Sequence, residues 1–205
     1  MVLHMTSDTR ERLVAAAMKL MLRQGYTATG IDGICTEAGL SKGAFYHSFR
    51  TKEDVALAAL DSFHRRGLEA LSAVDVSDVP PVERLPVFVE RLADRAGEIW
   101  QQGCLIGGLA TEMAETSDAL QRRVAHVFDE FAAQVAELAA PYVAALPIPG
   151  VDAVSVAEDL LAFIEGTIVL ARGRRDPKVL RTSLRRYALQ LRAVCGTPVT
   201  HSPQD

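Results

Sequence analysis

The stretch Thr29-Gly-Ile-Asp-Gly-Ile-Cys-Thr-Glu-Ala-Gly39-Leu-Ser-Lys-Gly-Ala-Phe-Tyr-His-Ser-Phe-Arg-Thr-Lys52 reads as two short helices meeting at a tight turn. Thr29 is placed to cap the first, with Asp32 closing a capping box and Ile31, Ile34 and Cys35 sharing one apolar face. Gly39 ends that helix, because glycine most readily takes the left-handed conformation a helix end needs. Ser41 is placed to cap the second, and Leu40 and Phe45 are spaced for a hydrophobic staple. Two helices joined by a glycine-containing turn of a few residues form a helix-turn-helix.

The second helix is too short to be a core helix, and its outer positions are chemically distinctive. Ser41, Lys42, Gly43, Tyr46 and His47 offer a hydroxyl, an ammonium, bare backbone, a phenol and an imidazole, groups that bond phosphate oxygens and base edges. An isolated helix face of this kind is usually just solvated. Here the turn, the staple and the donors coincide, which favours nucleic-acid reading.

Residues 39–53, Gly-Leu-Ser-Lys-Gly-Ala-Phe-Tyr-His-Ser-Phe-Arg-Thr-Lys-Glu, resemble the recognition-helix signature of the TetR family of bacterial transcriptional repressors. Residues Ala16–Tyr26 and Thr29–Gly39 resemble that family's first and second helices, and Gly33 and Cys35 depart from its usual helix formers. The resemblance implies an all-α chain of about nine helices, with a three-helix DNA-binding domain ahead of a helical bundle for effector binding and dimerisation. It also implies a homodimer joined through the last two helices, which holds a pseudo-palindromic double-stranded operator until a small apolar effector releases it. Thr29, Ser41, Lys42, Gly43, Ala44, Tyr46, His47 and Lys52 are the expected DNA contacts. An activator would share every one of these features.

Composition bounds the rest. At 205 residues, with 49% hydrophobic and 6% aromatic residues, the chain has ample core for one large or two small helical domains. Apolar runs stop well short of a membrane span, no export signal opens the chain, and three cysteines without metal spacing fit a reducing cytoplasm. The net charge of −4 divides unevenly: residues 1–67 carry 9 Lys+Arg against 7 Asp+Glu, and residues 68–205 carry 13 against 19. A slightly basic head on an acidic body results.

Along the chain, an Asp8-x-x-Glu11 start opens a helix to Gln24 whose residues Leu13, Ala16, Ala17, Leu20 and Met21 share one side. Tyr26 and Phe49 are expected to plug the small bundle. Thr51 with Asp54 starts a helix to about Ser72, which puts a DNA-binding domain at 8–68 with its helix-turn-helix at about 29–49. A ligand-binding and dimerisation domain follows at 69–196, then a tail at 197–205. Within that domain helices are expected at 82–102, 110–115, 117–145, 152–172 and from Pro177 to about Val194, with a turn at Gly103–Gly108 and a loop at 147–150.

Phe63, Phe88, Trp100, Cys104, Met113, Phe128, Phe131, Phe163 and Thr167 are candidates to line an effector cavity, although each is also an ordinary core residue by type. Trp100 has the stronger claim, since its indole N–H wants a partner beside a glycine-rich turn. Gly103-Cys104-Leu105 resembles a stretch seen in a subset of TetR-family proteins, some of which sense electrophiles or oxidants through that cysteine, so modification or oxidation of Cys104 is an alternative switch. His126 and Asp129 are too few to hold a metal, and Glu112 and Glu115 read as a solvated helix edge. No acid, base or metal groups converge, so no cofactor and no enzymatic activity are expected.

Overall fold

The computed structural model describes residues 2–113, 117–146 and 149–196, with side chains from residue 8 onward. Among these lie α1 (Val2–Gln24), α2 (Ile31–Ala38), α3 (Lys42–Ser48), α4 (Lys52–Ser72), α5 (Arg84–Trp100), α6 (Leu105–Met113), α7 (Asp118–Ala144), α8 (Ala153–Arg174) and α9 (Lys178–Val194). A 3-10 turn at Pro81–Glu83 precedes α5, and no strand occurs among the described residues. Glu115, residues 147 and 148 of the expected loop, and the expected tail at 197–205 lie outside the described residues. The chain forms two compact units, residues 1–68 with 102–127 and residues 69–101 with 128–205.

In the first unit α1 begins at Val2, ahead of the expected start, and Asp8 pairs with Arg12 at 3.9 Å one turn on. Leu13, Ala17, Leu20 and Met21 of α1 are buried together with Ile34, Cys35 and Ala38 of α2 and with Phe45 of α3. Helix α2 does not start as expected. Gly30 occupies the cap without a side-chain bond, while Thr29 is fully buried and its hydroxyl donates to Gly25 O at 2.7 Å. Thr29 therefore braces the turn behind the helix. At the other end Gly39 takes φ 63°, its N–H reaching Thr36 O at 3.1 Å and that of Leu40 reaching Cys35 O at 2.9 Å. The Arg12 guanidinium adds a bond to Ala38 O at 2.7 Å, where a cation suits the negative end of the helix.

Helix α3 is capped as its sequence demands, Ser41 Oγ accepting from Ala44 N at 3.2 Å. Phe45 is wholly buried, its ring 5.9 Å from that of Phe49 and edge-on to that of Tyr46 at 5.4 Å. Helix α4 opens with a full capping box, Asp54 N donating to Thr51 Oγ1 at 3.1 Å and Thr51 N to Asp54 Oδ2 at 2.9 Å.

Residues 105–109, expected in part as a turn, are helical, because α6 starts directly after Cys104 and Gly108 N–H bonds Cys104 O at 3.1 Å. Thr111 returns its hydroxyl to the carbonyls of Gly107 and Gly108, which helps hold a helix that two glycines would otherwise loosen.

In the second unit α5 lies along α9. Leu85, Phe88, Val89, Leu92 and Ala96 of α5 and Leu180, Leu184, Ala188 and Leu191 of α9 are buried. Asp94 accepts from both Arg181 (3.1 Å) and Arg185 (2.8 Å), and Glu90 from Arg192 (2.5 Å), fixing the register of the two helices. Tyr142 of α7 is 2% exposed and donates to Leu191 O at 2.9 Å, where burial first of all pushes its phenol pKa up. Helix α8 is capped by Asp152, whose carboxylate takes Ser155 N at 2.8 Å while Ser155 Oγ accepts from Asp152 N at 3.2 Å. Among the described residues no helix is long and apolar enough to cross a membrane.

Candidate nucleic-acid interface and effector cavity

The α3 helix presents a compact exposed face. Ser41, Lys42, Gly43, Tyr46 and His47 are exposed, Ala44 is half-buried, and Tyr46 keeps 57% of its surface open. An aromatic residue that exposed on a seven-residue helix is unusual, since its neighbour Phe45 carries the packing. The sequence-expected contacts on α3 therefore share one surface.

Two expected contacts stand apart from it. Thr29 is turned inward, as described. Lys52 is half-buried, its Nζ 4.0 Å from the Tyr26 ring centroid and bonded to Tyr26 O at 3.1 Å. It ties the start of α4 to the α1–α2 turn, so any phosphate contact has to share this ammonium.

Lys42 is engaged as well, but at the surface. Its Nζ lies 2.8 Å from Asp32 Oδ1 on α2, and this hydrogen bond holds the ammonium pKa above its ordinary value. Both side chains are largely open to water, so the pair is easily exchanged for another partner. Arg10 of α1 lies over the Phe49 ring at 4.8 Å. Sequence periodicity gave no hint of this placement, because Phe49 lies just past α3 and far from Arg10 along the chain.

The residues expected around an effector fall in both units. Phe63, Cys104 and Met113 belong to the first unit, and Phe88, Trp100, Phe128, Phe131, Phe163 and Thr167 to the second. Phe88 is 3% exposed in the core of its unit, Phe163 stacks on Tyr187 at 4.5 Å, and Thr167 returns its hydroxyl to Phe163 O at 2.7 Å. Trp100 lines a cavity of about 260 Å³ at the end of α5, with Ile168 and Arg172 of α8, Arg175 and Pro177 of the α8–α9 turn, and Leu180 of α9. Arg175 takes φ 53°, a left-handed conformation that costs a non-glycine residue energy and that shapes this rim. Cys104 is buried immediately ahead of α6. Burial also pushes up the thiol pKa values of Cys35 and Cys195, which lowers their thiolate reactivity. Among the described residues no group of three or more His, Cys, Asp or Glu could hold a metal ion.

One acidic residue was misjudged by its sequence context. Glu112, read as a solvated edge, accepts hydrogen bonds from the backbone of Tyr26 and Thr27. Nothing local in the sequence signals a contact across 86 positions.

A buried three-helix head with an exposed, capped recognition helix, followed by a helical body, defines a helix-turn-helix DNA-binding regulator. Residues 13–59 match the profile of bacterial regulatory proteins of the tetR family, and residues 81–185 match the C-terminal domain of LmrA/YxaF-like transcriptional regulators. The chain is 29% identical over 195 residues to the transcriptional regulator AcuR of Cereibacter sphaeroides, covering 88% of this chain and 84% of that one. It is 30% identical over 122 residues to the transcriptional repressor NemR of Escherichia coli, covering 58% and 60%. A TetR transcriptional regulator from Chloroflexus aurantiacus superposes with a TM-score of 0.79 at 30% identity, covering 92% of this chain and 96% of that one. The chain belongs to the TetR family of transcriptional regulators, and it is a DNA-binding regulator, not an enzyme.

Proposed function

We propose that the chain is a homodimeric repressor that reads a pseudo-palindromic operator with α3 and is released by a small effector held in its helical body. The exposed α3 face carries this reading. In the major groove Lys42 and His47 reach bases or phosphates, Ser41, Gly43 and Ala44 allow close approach to the backbone, and Tyr46 bonds a phosphate. Repression is supported by the name of the related repressor from Escherichia coli. Action on chromosomal DNA places the protein in the cytoplasm.

Dimerisation is supported by α8, which is apolar on two sides. One side buries Val156, Leu160, Ile164 and Ile168. The other exposes Val154, Val169 and Leu170, and α9 exposes Leu189 and Val194. A Cβ on Gly166 or Gly173 would meet nothing within 4 Å in the same chain, so both leave room for a partner helix. Pairing of α8 and α9 with their copies would place two heads on half-sites about 34–36 Å apart.

The cavity beside Trp100 supports a small effector. Its floor of Ala96, Ile168 and Leu180 suits an apolar body, and Arg172 and Arg175 on its rim suit a polar or anionic end. Residues of α4 and α7 belong to both units, and the chain crosses between them again just after α5, so these segments are the covalent routes by which occupancy reaches the head. Occupancy changes DNA binding only to the extent that the effector prefers the released conformation.

Tyr46→Ala is the direct test. The side chain is exposed, so the melting temperature should stay within about 2 °C. Affinity should fall about tenfold for all duplexes alike, as for loss of a phosphate contact, when measured by fluorescence anisotropy. Unchanged affinity would remove α3 from the interface. Asp32→Asn should act oppositely. Without the carboxylate that competes for Lys42, binding at low salt should tighten by about two- to tenfold, and weaker binding would show that the ion pair itself shapes the reading face.

A further inference from the structure

We propose that Glu112 of α6 is a positioning residue for DNA binding, its carboxylate clamping the turn between α1 and α2 and thereby setting the geometry of the reading head. The inference rests on the chain being a duplex reader, and it assigns a role to a segment well outside the helix-turn-helix.

The turn is built to receive an anion. Helix α1 stops at Gln24, Gly25 takes φ 84°, and the next two amides, of Tyr26 and Thr27, point to the same side. Successive N–H groups after a left-handed residue form an anion-binding concavity. Here the anion is the chain's own. Tyr26 N donates to Glu112 Oε1 at 3.1 Å and Thr27 N to Glu112 Oε2 at 2.9 Å, one oxygen for each amide. A Cβ on residue 25 would run into that carboxylate, so the glycine meets both the conformation and the space the clamp requires.

The clamped turn is also where the head's helices meet. On its far side Lys52, the first residue of α4, bonds Tyr26 O at 3.1 Å and lies over the Tyr26 ring. Thr29, just before α2, bonds Gly25 O at 2.7 Å. Tyr26 is thus held between Glu112 and Lys52, and the turn joins α1, α2 and α4.

Two further contacts fasten the segment that carries Glu112. Ser117 donates to Glu53 Oε2 at 2.7 Å, and Arg123 reaches Asp61 at 2.7 Å, both on α4. These join side chains, and the Arg123–Asp61 pair is solvated. Glu112 instead satisfies two backbone donors with a full charge, the stronger kind of bond. Without it both amides lose their partner and the turn can relax, carrying α2, and α3 packed against it, out of register with the groove.

Full-length Glu112→Ala, Glu112→Gln and Gly25→Ala chains test this. Amide hydrogen exchange at residues 26 and 27 is followed without DNA. Affinity is measured for a duplex selected from a random pool by the wild-type chain, at a temperature where each variant is folded. Exchange at both amides should accelerate at least about tenfold in Glu112→Ala, with affinity at least about tenfold weaker. Glu112→Gln keeps one acceptor oxygen and should fall between, and it serves as the folded variant should alanine fail. Gly25→Ala should reproduce the loss, and combining it with Glu112→Ala should cost less than the sum of the two, since the contact is shared while the strain at φ 84° is not.

Unchanged exchange at Tyr26 and Thr27 would overturn the proposal. So would affinity within about twofold of wild type in variants whose melting temperature falls, because that would make Glu112 a mere brace. A wild-type chain that selects no duplex would refute the duplex-reading function instead, and the exchange measurement would still decide whether the clamp exists.

Discussion

Phe45→Ala should destroy DNA binding by unfolding the reading head. The ring is 0% exposed and packs on the Phe49 ring. Truncating a buried phenylalanine costs about 3–5 kcal/mol, a large share of the roughly 5–15 kcal/mol that holds a domain together. Thermal unfolding followed by circular dichroism should show the first transition lowered by about 10 °C or more, with anisotropy reporting no duplex binding. The contrast with Tyr46→Ala, one residue along, is informative because the weaker binding there would come without a loss of stability. A Phe45→Ala chain that melts like wild type would mean that the hydrophobic seam under α3 is not what holds the helix.

The second large effect concerns the exposed apolar side of α8. Val169→Asp together with Leu170→Asp places two carboxylates where, in the proposed dimer, two copies of the helix pack together. Val169 is 68% exposed and Leu170 50% exposed in the single chain, so the protomer should fold with little change. In a dimer the same charges would be buried without partners, a cost of several kcal/mol per ion. Sedimentation should find monomers. Operator affinity should drop by about ten-thousandfold, since one head retains about half of a binding free energy near −12 kcal/mol. A double variant that still sediments as a dimer would place the interface elsewhere.

What was legible in the sequence, and what was not, follows the range of each interaction. Gly39, Ser41 and the Thr51–Asp54 box do what their positions indicate, because caps and left-handed glycines act within three or four residues. Phe45 buries itself and leaves Tyr46 outside, as adjacent positions on a helix must divide. Thr29 misled because the helix starts one residue later than its cap signal indicates, with Gly30 in the cap position. The hydroxyl goes back to Gly25 rather than forward to the helix. The glycines at 107 and 108 suggested a turn, yet local propensity yields to the packing of Leu105, Leu109 and Met113.

The candidate site divides along the same line. The α3 face could be drawn from seven consecutive residues. Glu112 could not, since its partners lie 85 and 86 positions away and a glutamate on a short helix looks the same solvated or clamped. For an effector cavity the sequence offers only residue type, which identifies core well and cavities poorly. Trp100 lines the cavity described above, while Phe88 simply fills the core. Nothing in a run of arginines announces the rim of a pocket, so the placement of Arg172 and Arg175 is legible only in the structure.

The most direct measurement is the mass of the wild-type complex with its selected duplex, taken by sedimentation at low ionic strength. Two chains per duplex, with binding that weakens steeply as salt is raised, is the expected result. A single chain on the duplex, or no complex at all, would contradict a paired reader built on α3 and joined through α8 and α9.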